Sequence, residues 1–566
     1  MKLRTRFLFL LLILAMLCSL LPQFTLPARG DNPNAGSCGE KLSWYFDLDS
    51  GTLTIIGSGE MEDYGYQSSE CFEDQPWAVY RELILTVCLP EGLTRIGNGA
   101  FYDCRCLANV TIPETVTAIG TEVFQNCSSL TSLQIPEAVT DIGSHVFSGC
   151  SSLSSVVLPA GVTTIGESAF SDCIALTDVK LPAGVTVIDR SAFSGCSALT
   201  EICIPQGVTR ISDYAFYNCS GLTSVRIPEA VTDIGDYAFY NCSGLTRADI
   251  LDAVTHIGEY AFCACNELTE VYIPTGVTGI GACAFSDCRG LMEIQVASDN
   301  LDYCSLEGVL LNKTKTKLLQ FPAGKEIESY KIPGSVSVIG EAAFFGCGAL
   351  TSVCISDRVT AIQDWAFYNC GALRSVRIPE GVTNIGRYAF SDCVELLSVS
   401  IPASVSDISF SAFSGCSSLT CVSIADGVTD IGSYAFSDCS ALTSVTIPEG
   451  VTRISDYAFD GCRALSSVSL PKSLVGIGKS AFCSCSALKR VSIPSDVTGI
   501  GDYAFGWDWN GLTARNERVD GFIVCGCDGT AAQSYAESEG LKFIPLDPRS
   551  DFWRAEIGNT EVEPMH

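Results

Sequence analysis

Thiols are unusually numerous in this chain, which has thirty cysteines against three histidines. Thiols in such numbers could form disulfides, bind metal ions or carry redox chemistry. Their spacing favours a structural role instead, because sixteen of them lie three residues after a phenylalanine that recurs every 23 residues. Stacked coils would hold these cysteines with Cβ atoms about 4.8 Å apart, whereas a disulfide needs about 3.8 Å. We therefore expect a buried ladder of free thiols, which runs from Cys104 to Cys288 and from Cys347 to Cys485.

The cysteines outside the ladder offer few chemical alternatives. Cys38, Cys71 and Cys88 near the N-terminus are more plausible disulfide partners. Four C-x-C pairs resemble metal-binding spacing, but in the first three pairs one member belongs to the ladder, so we expect no metal and no cofactor. The pairs are Cys104/Cys106, Cys263/Cys265, Cys483/Cys485 and Cys525/Cys527.

Catalytic residues are not apparent in the sequence. The histidines, at positions 145, 256 and 566, occupy unrelated places. No serine or cysteine has a base at motif spacing, and no glycine-rich phosphate loop precedes a helix. We therefore expect that the protein is not an enzyme.

The phenylalanine column defines the element that positions everything else. Phe recurs every 23 residues from Phe101 to Phe285 and from Phe344 to Phe505, in seventeen copies separated by one step of 59 residues. A fixed period of this length predicts a solenoid, in which each coil buries its apolar face against its neighbours. In one unit, Leu222–Ile227 alternates as a half-buried strand that Pro228 ends, and Val231–Ile234 forms a second short strand. We call these the first and second strands of a coil and expect parallel stacking with little helix.

The consensus L-x-x-V-x-I-P-x-x-V-T-x-I-G-x-x-A-F-x-x-C resembles the BspA-like (Treponema pallidum type) leucine-rich repeat over roughly residues 85–545. The resemblance implies a curved, β-rich leucine-rich-repeat solenoid, with parallel first strands on the concave face and short second strands on the convex side. It also implies a secreted or cell-surface protein linked to adhesion and to binding of host matrix proteins.

The chain divides into seven predicted segments. Residues 1–29 have the basic start and apolar run of a signal peptide, and no later apolar stretch is long enough to span a membrane. Residues 30–80 carry a hairpin pattern, with alternating Leu42, Trp44 and Phe46 before a turn, and form an N-terminal cap. The remaining segments are repeats at 81–297, a variant repeat with a protruding hairpin at 298–331, repeats at 332–505, a C-terminal cap at 506–546 with a short helix over Ala531–Glu539, and a loose tail at 547–566.

Net charge limits the possible partners. At −30, the chain would be repelled by nucleic acids and by anionic membranes. The variant repeat carries the one basic spot, with Lys313, Lys315, Lys317, Lys325 and Lys331. This spot could contact an acidic partner, although solvated charges that protect a hairpin edge are the favoured interpretation.

Residues on either side of the buried valine in each first strand should point outward. In the earlier coils these positions carry charges and one tyrosine, whereas in the later coils they are mostly serine. A mixed-charge stripe with an aromatic residue is typical of specific protein contacts. We therefore predict a protein-binding face at Asp178, Lys180, Glu201, Arg226, Arg247, Asp249, Glu270, Tyr272 and Glu293.

A second stripe lies just before the Ala-Phe pair of each coil and includes Tyr214, Tyr237, Tyr260 and Trp365. Such rings could bind glycans, although lateral packing between coils is the commoner role of an aromatic stripe. The leading hypothesis is a secreted or cell-surface protein that binds a host or neighbouring-cell protein through its concave face. The alternatives are a glycan-binding module and a structural envelope protein that self-associates.

Overall fold

The computed structural model describes residues 34–65, 75–510 and 515–546. The predicted signal peptide and tail, together with Cys71, lie outside these residues. The described chain forms two compact units, one ending at Ser243 and the other starting at Gly244. Both units are β-solenoids of parallel strands, as the period predicts, and each coil contributes a first strand, a second strand and an irregular segment around its phenylalanine.

In the first unit, an antiparallel sheet precedes the coils. It consists of Ala35–Gly39, Leu42–Asp47 and Thr52–Glu60, and a 3-10 helix spans Ala78–Leu83. The first strands are Thr86–Cys88, Asn109–Thr111, Ser132–Gln134, Ser155–Val157, Asp178–Val179, Glu201–Cys203 and Ser224–Arg226. The second strands are Gly92–Ile96, Ala118–Ile119, Asp141–Ile142, Thr164–Ile165, Val187–Ile188, Arg210–Ile211 and Asp233–Ile234.

In the second unit, the first strands are Arg247–Asp249, Glu270–Ile273, Glu293–Val296, Ser329–Lys331, Ser352–Cys354, Ser375–Arg377, Ser398–Ile401, Cys421–Ile424, Ser444–Thr446, Ser467–Ser469, Arg490–Ser492, Ile523–Gly526 and Lys542–Pro545. The second strands are His256–Ile257, Gly279–Ile280, Lys317–Gln320, Val338–Ile339, Ala361–Ile362, Asn384–Ile385, Asp407–Ile408, Asp430–Ile431, Arg453–Ile454, Gly476–Ile477 and Gly499–Ile500. The remaining elements are Tyr303–Leu306, Val309–Asn312, the antiparallel pair Trp507–Asn510 and Arg515–Arg518, and the helix Ala531–Glu539, as predicted.

The register between coils follows the period of 23 residues. Ser155 pairs with Asp178 and Val156 with Val179, so each residue lies beside its equivalent in the next coil. Val156 and Val179 are buried while Ser155 and Asp178 are exposed, because successive side chains of a strand point to opposite faces. Outward positions therefore line up in columns along the sheet.

The segment around each phenylalanine makes a third line of hydrogen bonds, which the sequence pattern did not reveal. The Phe390 N–H donates to the carbonyl of Ala412 at 2.8 Å, and equivalent bonds recur along both units. Two residues in each such segment have left-handed backbone, at φ 56° for Tyr388 and 59° for Asp392. The second position is filled mainly by Asn, Asp or Gly, the residue types that accept this conformation.

The phenylalanines form a stacked column in the core of each unit. Phe193 and Phe216, for example, lie with ring centroids 5.7 Å apart and planes 3° from parallel. The column extends beyond the predicted members, since Trp77 stacks on Phe101 and Phe321 stacks on Phe344 at 5.2 Å. Phe321 lies one period before Phe344, so the variant repeat retains its core position.

The cysteine ladder is buried, and its thiols have a defined partner. The Sγ of Cys127 lies 3.2 Å from the carbonyl oxygen of Phe101, and that of Cys416 lies 3.2 Å from the carbonyl oxygen of Phe390. These two thiols, like most others of the ladder, donate to the carbonyl of the phenylalanine one coil earlier. Burial raises the pKa of Cys150 to about 12 and holds the pKa of Cys416 well above its usual range. These raised pKa values keep the Cys150 and Cys416 thiols protonated, as a donor role requires.

The variant repeat differs from the protruding hairpin that its sequence predicts. Val309–Asn312 does pair antiparallel with Lys317–Gln320, but Lys317–Gln320 also pairs in parallel with Val338–Ile339 as the second strand of its coil. Val309, Leu311 and Leu318 are fully buried. The predicted hairpin is therefore present, but its apolar runs are buried in the core of the stack rather than protruding from it.

Candidate recognition surface

The predicted binding residues of the first unit lie on the outer face of its first strands. Asp178 and Lys180 flank the buried Val179, and all of Asp178, Lys180, Glu201 and Arg226 are exposed. Glu201 pairs in register with Ser224, and Cys203 with Arg226. This part of the face is a flat row of separated charges.

The predicted residues of the second unit are grouped more closely. Arg247, Glu270 and Tyr272 are exposed, and Tyr272 keeps 51% of its surface. The Arg247 guanidinium pairs with the Asp249 carboxylate, and Gln295 donates from Nε2 to Glu293 Oε1 at 2.7 Å. Together, the outward side chains of these neighbouring strands form an electrostatically varied surface around one aromatic ring.

A groove of about 340 Å³ opens on this surface. We call it the Tyr272 groove, and it is lined by Arg247, Asp249, Asp252, Glu270, Tyr272 and Gln295 over an apolar floor of Ala248, Ile250, Leu251 and Val271. Sequence reasoning identified most of its polar rim but missed Leu251 and Asp252. The available signal was the departure from consensus, since Leu251 stands where the other regular coils mostly have proline.

The later first strands of the second unit present a different surface, which we call the serine stretch. Its outward columns are Ser398, Cys421, Ser444 and Ser467 on one side and Ser400, Ser423, Thr446 and Ser469 on the other. Hydroxyl groups fill these positions apart from the Cys421 thiol, and neither column contains Asp, Glu, Lys or Arg.

The predicted glycan stripe packs laterally. Tyr214 and Tyr237 stack at 4.8 Å with planes 7° apart, and the Arg190 guanidinium lies over Tyr214, 4.7 Å from its ring centroid. Trp365 stacks on Tyr388 at 5.9 Å, and Tyr260 occupies the same left-handed position in its own coil. Sugar rings bind to open aromatic faces, and within these stacks the facing sides of neighbouring rings are taken. Stacking instead supports bulky residues in a backbone conformation that they otherwise avoid.

Two lysines of the basic spot hydrogen-bond to backbone carbonyls. Lys313 Nζ donates to the carbonyls of Ser298 and Asn300, and Lys325 Nζ donates to the carbonyl of Glu307 at 2.8 Å. These two lysines tie the turns of the variant repeat together, a structural role that differs from the solvated edge protection expected from the sequence.

No group of three or more His, Cys, Asp or Glu in residues 34–65, 75–510 and 515–546 could hold a metal ion. Cys38 is buried with a free thiol, and burial followed by the nearby Glu62 carboxylate raises its pKa to about 12. In the same ranges, no helix is both long enough and apolar enough to cross a membrane.

The repeat matches one family model, described as the BspA-type leucine-rich repeat region, at residues 78–200, 186–306, 320–443 and 406–510. These matches span most of the chain. The chain belongs to the BspA-type leucine-rich-repeat family. Membership accounts for the period, the paired short strands and the core positions that recur in each coil.

Solved structures similar to this BspA-type chain include bacterial repeat proteins. A leucine-rich repeat protein from Eubacterium ventriosum is 26% identical, over 79% of this chain and 94% of its own, with a TM-score of 0.44. A leucine rich cell surface protein from Faecalibacterium prausnitzii is 28% identical, over 78% and 95%, with a TM-score of 0.43. A leucine-rich repeat protein from Treponema pallidum is 22% identical, over 45% and 91%, with a TM-score of 0.24. No curated protein matches the sequence.

Proposed function

We propose that this BspA-type protein is a non-catalytic recognition protein of the cell surface or extracellular space, which binds another protein through the outer face of its first strands. The Tyr272 groove is the observation that carries the proposal. It combines concavity, an exposed aromatic ring and charges of both signs, the features of a specific protein contact.

Two further features support the proposal. The N-terminal residues Lys2, Arg4 and Arg6 followed by the apolar run Phe7–Met16 are typical of a secretory signal. In addition, the outward residues vary from coil to coil while the core residues repeat, as expected where a scaffold displays a binding surface. Host matrix proteins and cell-surface proteins are the partners we propose.

Binding of the purified chain to arrays of matrix proteins and glycans tests this function. Two variants divide the face, with Lys180→Ala and Arg226→Ala in the first unit and Arg247→Ala and Tyr272→Ala in the second. Ser444→Ala with Ser467→Ala is the matched control on the serine stretch. We expect protein binding that the second-unit variant loses and the control keeps. Binding to glycans alone, lost on Tyr214→Ala with Tyr237→Ala, would overturn the proposal in favour of the aromatic stripe.

A further inference from the structure

The Tyr272 groove originates in one irregular coil. The coil reads Arg247-Ala-Asp-Ile-Leu-Asp252, with Ala248 in place of the usual valine and Leu251 in place of the usual proline. In regular coils the isoleucine N–H bonds to the neighbouring coil, as Ile447 does to Ser469 at 3.0 Å. Here the Ile250 N–H bonds to the carbonyl of Ala248 within its own coil, at 3.2 Å. The strand therefore turns away after Asp249, and the groove lies beside this turn.

The charges of the groove favour a cationic ligand. Its rim contains one cation, Arg247, which is already paired with Asp249. Asp252 and Glu270 are exposed carboxylates that form no salt bridge with the described part of the chain. A basic side chain entering the groove would meet these two acceptors without displacing an existing ion pair.

Tyr272 supplies the second interaction. Its ring keeps about half of its surface exposed and lies between the outward positions of neighbouring coils, in register with Gln295. A lysine ammonium or arginine guanidinium within about 6 Å of such a ring is attracted to its face. The apolar floor of Ala248 and Val271 would contact the aliphatic stem of the same side chain.

We infer that the Tyr272 groove binds a lysine or arginine side chain on an extended segment of the partner protein. The cation lies against the Tyr272 ring and between the carboxylates of Asp252 and Glu270. This inference rests on the proposed function and adds the chemistry of the partner, a basic segment rather than an acidic or apolar one. The volume of the groove suits one or two long side chains and not a folded surface.

Fluorescence anisotropy with a labelled peptide of alternating lysine and threonine tests the inference on the full chain at about 0.15 M salt, where the Debye length is about 8 Å. The same peptide with glutamate in place of lysine is the charge control. Tyr272→Ala, and separately Asp252→Asn with Glu270→Gln, should each weaken binding by about tenfold or more. Tyr272→Phe should retain binding because the ring remains, and circular dichroism checks that each variant folds.

The matched control removes equal charge from the serine stretch, by Asp426→Asn with Glu449→Gln, at loop positions equivalent to Asp252. This control should change affinity less than twofold. Equal weakening by both double variants would show attraction to the overall negative charge and overturn the inference. Absence of lysine-peptide binding by the natural chain would also overturn it, and matrix-protein binding lost on Arg247→Ala with Tyr272→Ala would then leave the proposed function standing.

Discussion

The Tyr272 groove and the serine stretch belong to the same unit and occupy equivalent first-strand positions of one repeating coil, and they differ in the side chains that they expose. Around the groove, neighbouring strands present Arg247, Glu270 and Tyr272, whereas the serine stretch presents Ser398, Ser444 and similar hydroxyls. Beneath both regions the Val, Phe and Cys positions are equally buried. Fold and surface chemistry are thus encoded at separate positions of each coil.

Substitutions of core phenylalanines should lower the free energy of unfolding by similar amounts in the two regions. Phe262 lies beneath the groove and stacks with Phe285 at 5.6 Å, while Phe413 lies beneath the serine stretch between Phe390 and Phe436 at 5.3 and 5.4 Å. Either Phe→Ala change should reduce the free energy of unfolding by about 3–5 kcal/mol, because each leaves a cavity in a packed column. Urea unfolding measures both. A difference of more than about 2 kcal/mol would contradict the equivalence of the two cores.

The cysteine ladder should make both regions sensitive to alkali in the same way. Burial holds the pKa of the Cys288 and Cys416 thiols well above the usual range. The same thiols ionise near about pH 8.5 in the unfolded chain, whereas Cys288 and Cys416 stay protonated in the folded chain. The stability that they contribute is therefore full below about that pH and falls as pH rises further. Each thiol contributes about 1.4 kcal/mol per pH unit to this loss.

Removing one ladder thiol tests the predicted decrease of stability with rising pH. Cys288→Ala and Cys416→Ala should each make the pH dependence of urea unfolding shallower between pH 9 and 11, measured under reducing conditions. Cys203→Ala, at an exposed thiol outside the ladder, is the matched control and should leave the slope unchanged. An unchanged slope in Cys288→Ala or Cys416→Ala would show that the thiol which the substitution removes ionises in the folded natural protein as readily as in the unfolded chain.

Much of this comparison was readable from the sequence, because apolar residues that recur every 23 positions predict a solenoid of stacked coils. The outward orientation of Arg247, Glu270 and Tyr272 followed from strand alternation in the same way. The left-handed backbone at Tyr388 did not, since an aromatic residue there contradicts local preference and is held by hydrogen bonds between coils. The groove itself could not be predicted either, because Leu251 indicates an irregular coil without indicating the direction in which the strand turns.

The residue that follows the core phenylalanine differs in type between the two regions. After the core phenylalanine, the groove coils carry Cys263 and Ser286, whereas a coil of the serine stretch carries Asp460. Burial, followed by the nearby Asp438 carboxylate, raises the pKa of Asp460 to about 6. A raised pKa means that stability is full below about pH 4 and is lost as pH rises through 6.

Asp460→Asn should therefore stabilise the chain at pH 7.5, by about 1–2 kcal/mol after allowing for solvent screening. The gain should disappear near pH 4, where the carboxyl of the natural chain is protonated in the folded state. Urea unfolding of both proteins at the two pH values measures this. Asp430→Asn provides a control at a carboxylate on a neighbouring second strand, and an equal gain at both pH values would assign the effect to packing rather than ionisation.

Restoring the consensus should convert the groove into a regular surface. Ala248→Val with Leu251→Pro gives the irregular coil the residues of its neighbours, so the strand should continue and the groove should close. Affinity for the lysine peptide should fall about tenfold, or about 1.4 kcal/mol, while the free energy of unfolding changes little. Loss of stability beyond about 2 kcal/mol would indicate that the irregular coil packs in a way that the consensus residues cannot reproduce.

The reverse substitutions test whether the charged and aromatic side chains are sufficient to bind the lysine peptide in the absence of the groove. Ser444→Glu with Thr446→Tyr places the Glu270 and Tyr272 pair at the equivalent outward positions of the serine stretch, over a strand that keeps its bond from Ile447 to Ser469. Both sites are exposed, so stability should change by less than about 0.5 kcal/mol. Lysine-peptide affinity should also stay within twofold of the natural chain, because the flat strand leaves the cation solvated and cation–π attraction is weak at an exposed ring.

Anisotropy titration measures this affinity directly. If the variant instead gained a second site as tight as the first, the charged and aromatic side chains alone would determine recognition, and the turn after Asp249 would have no part in it.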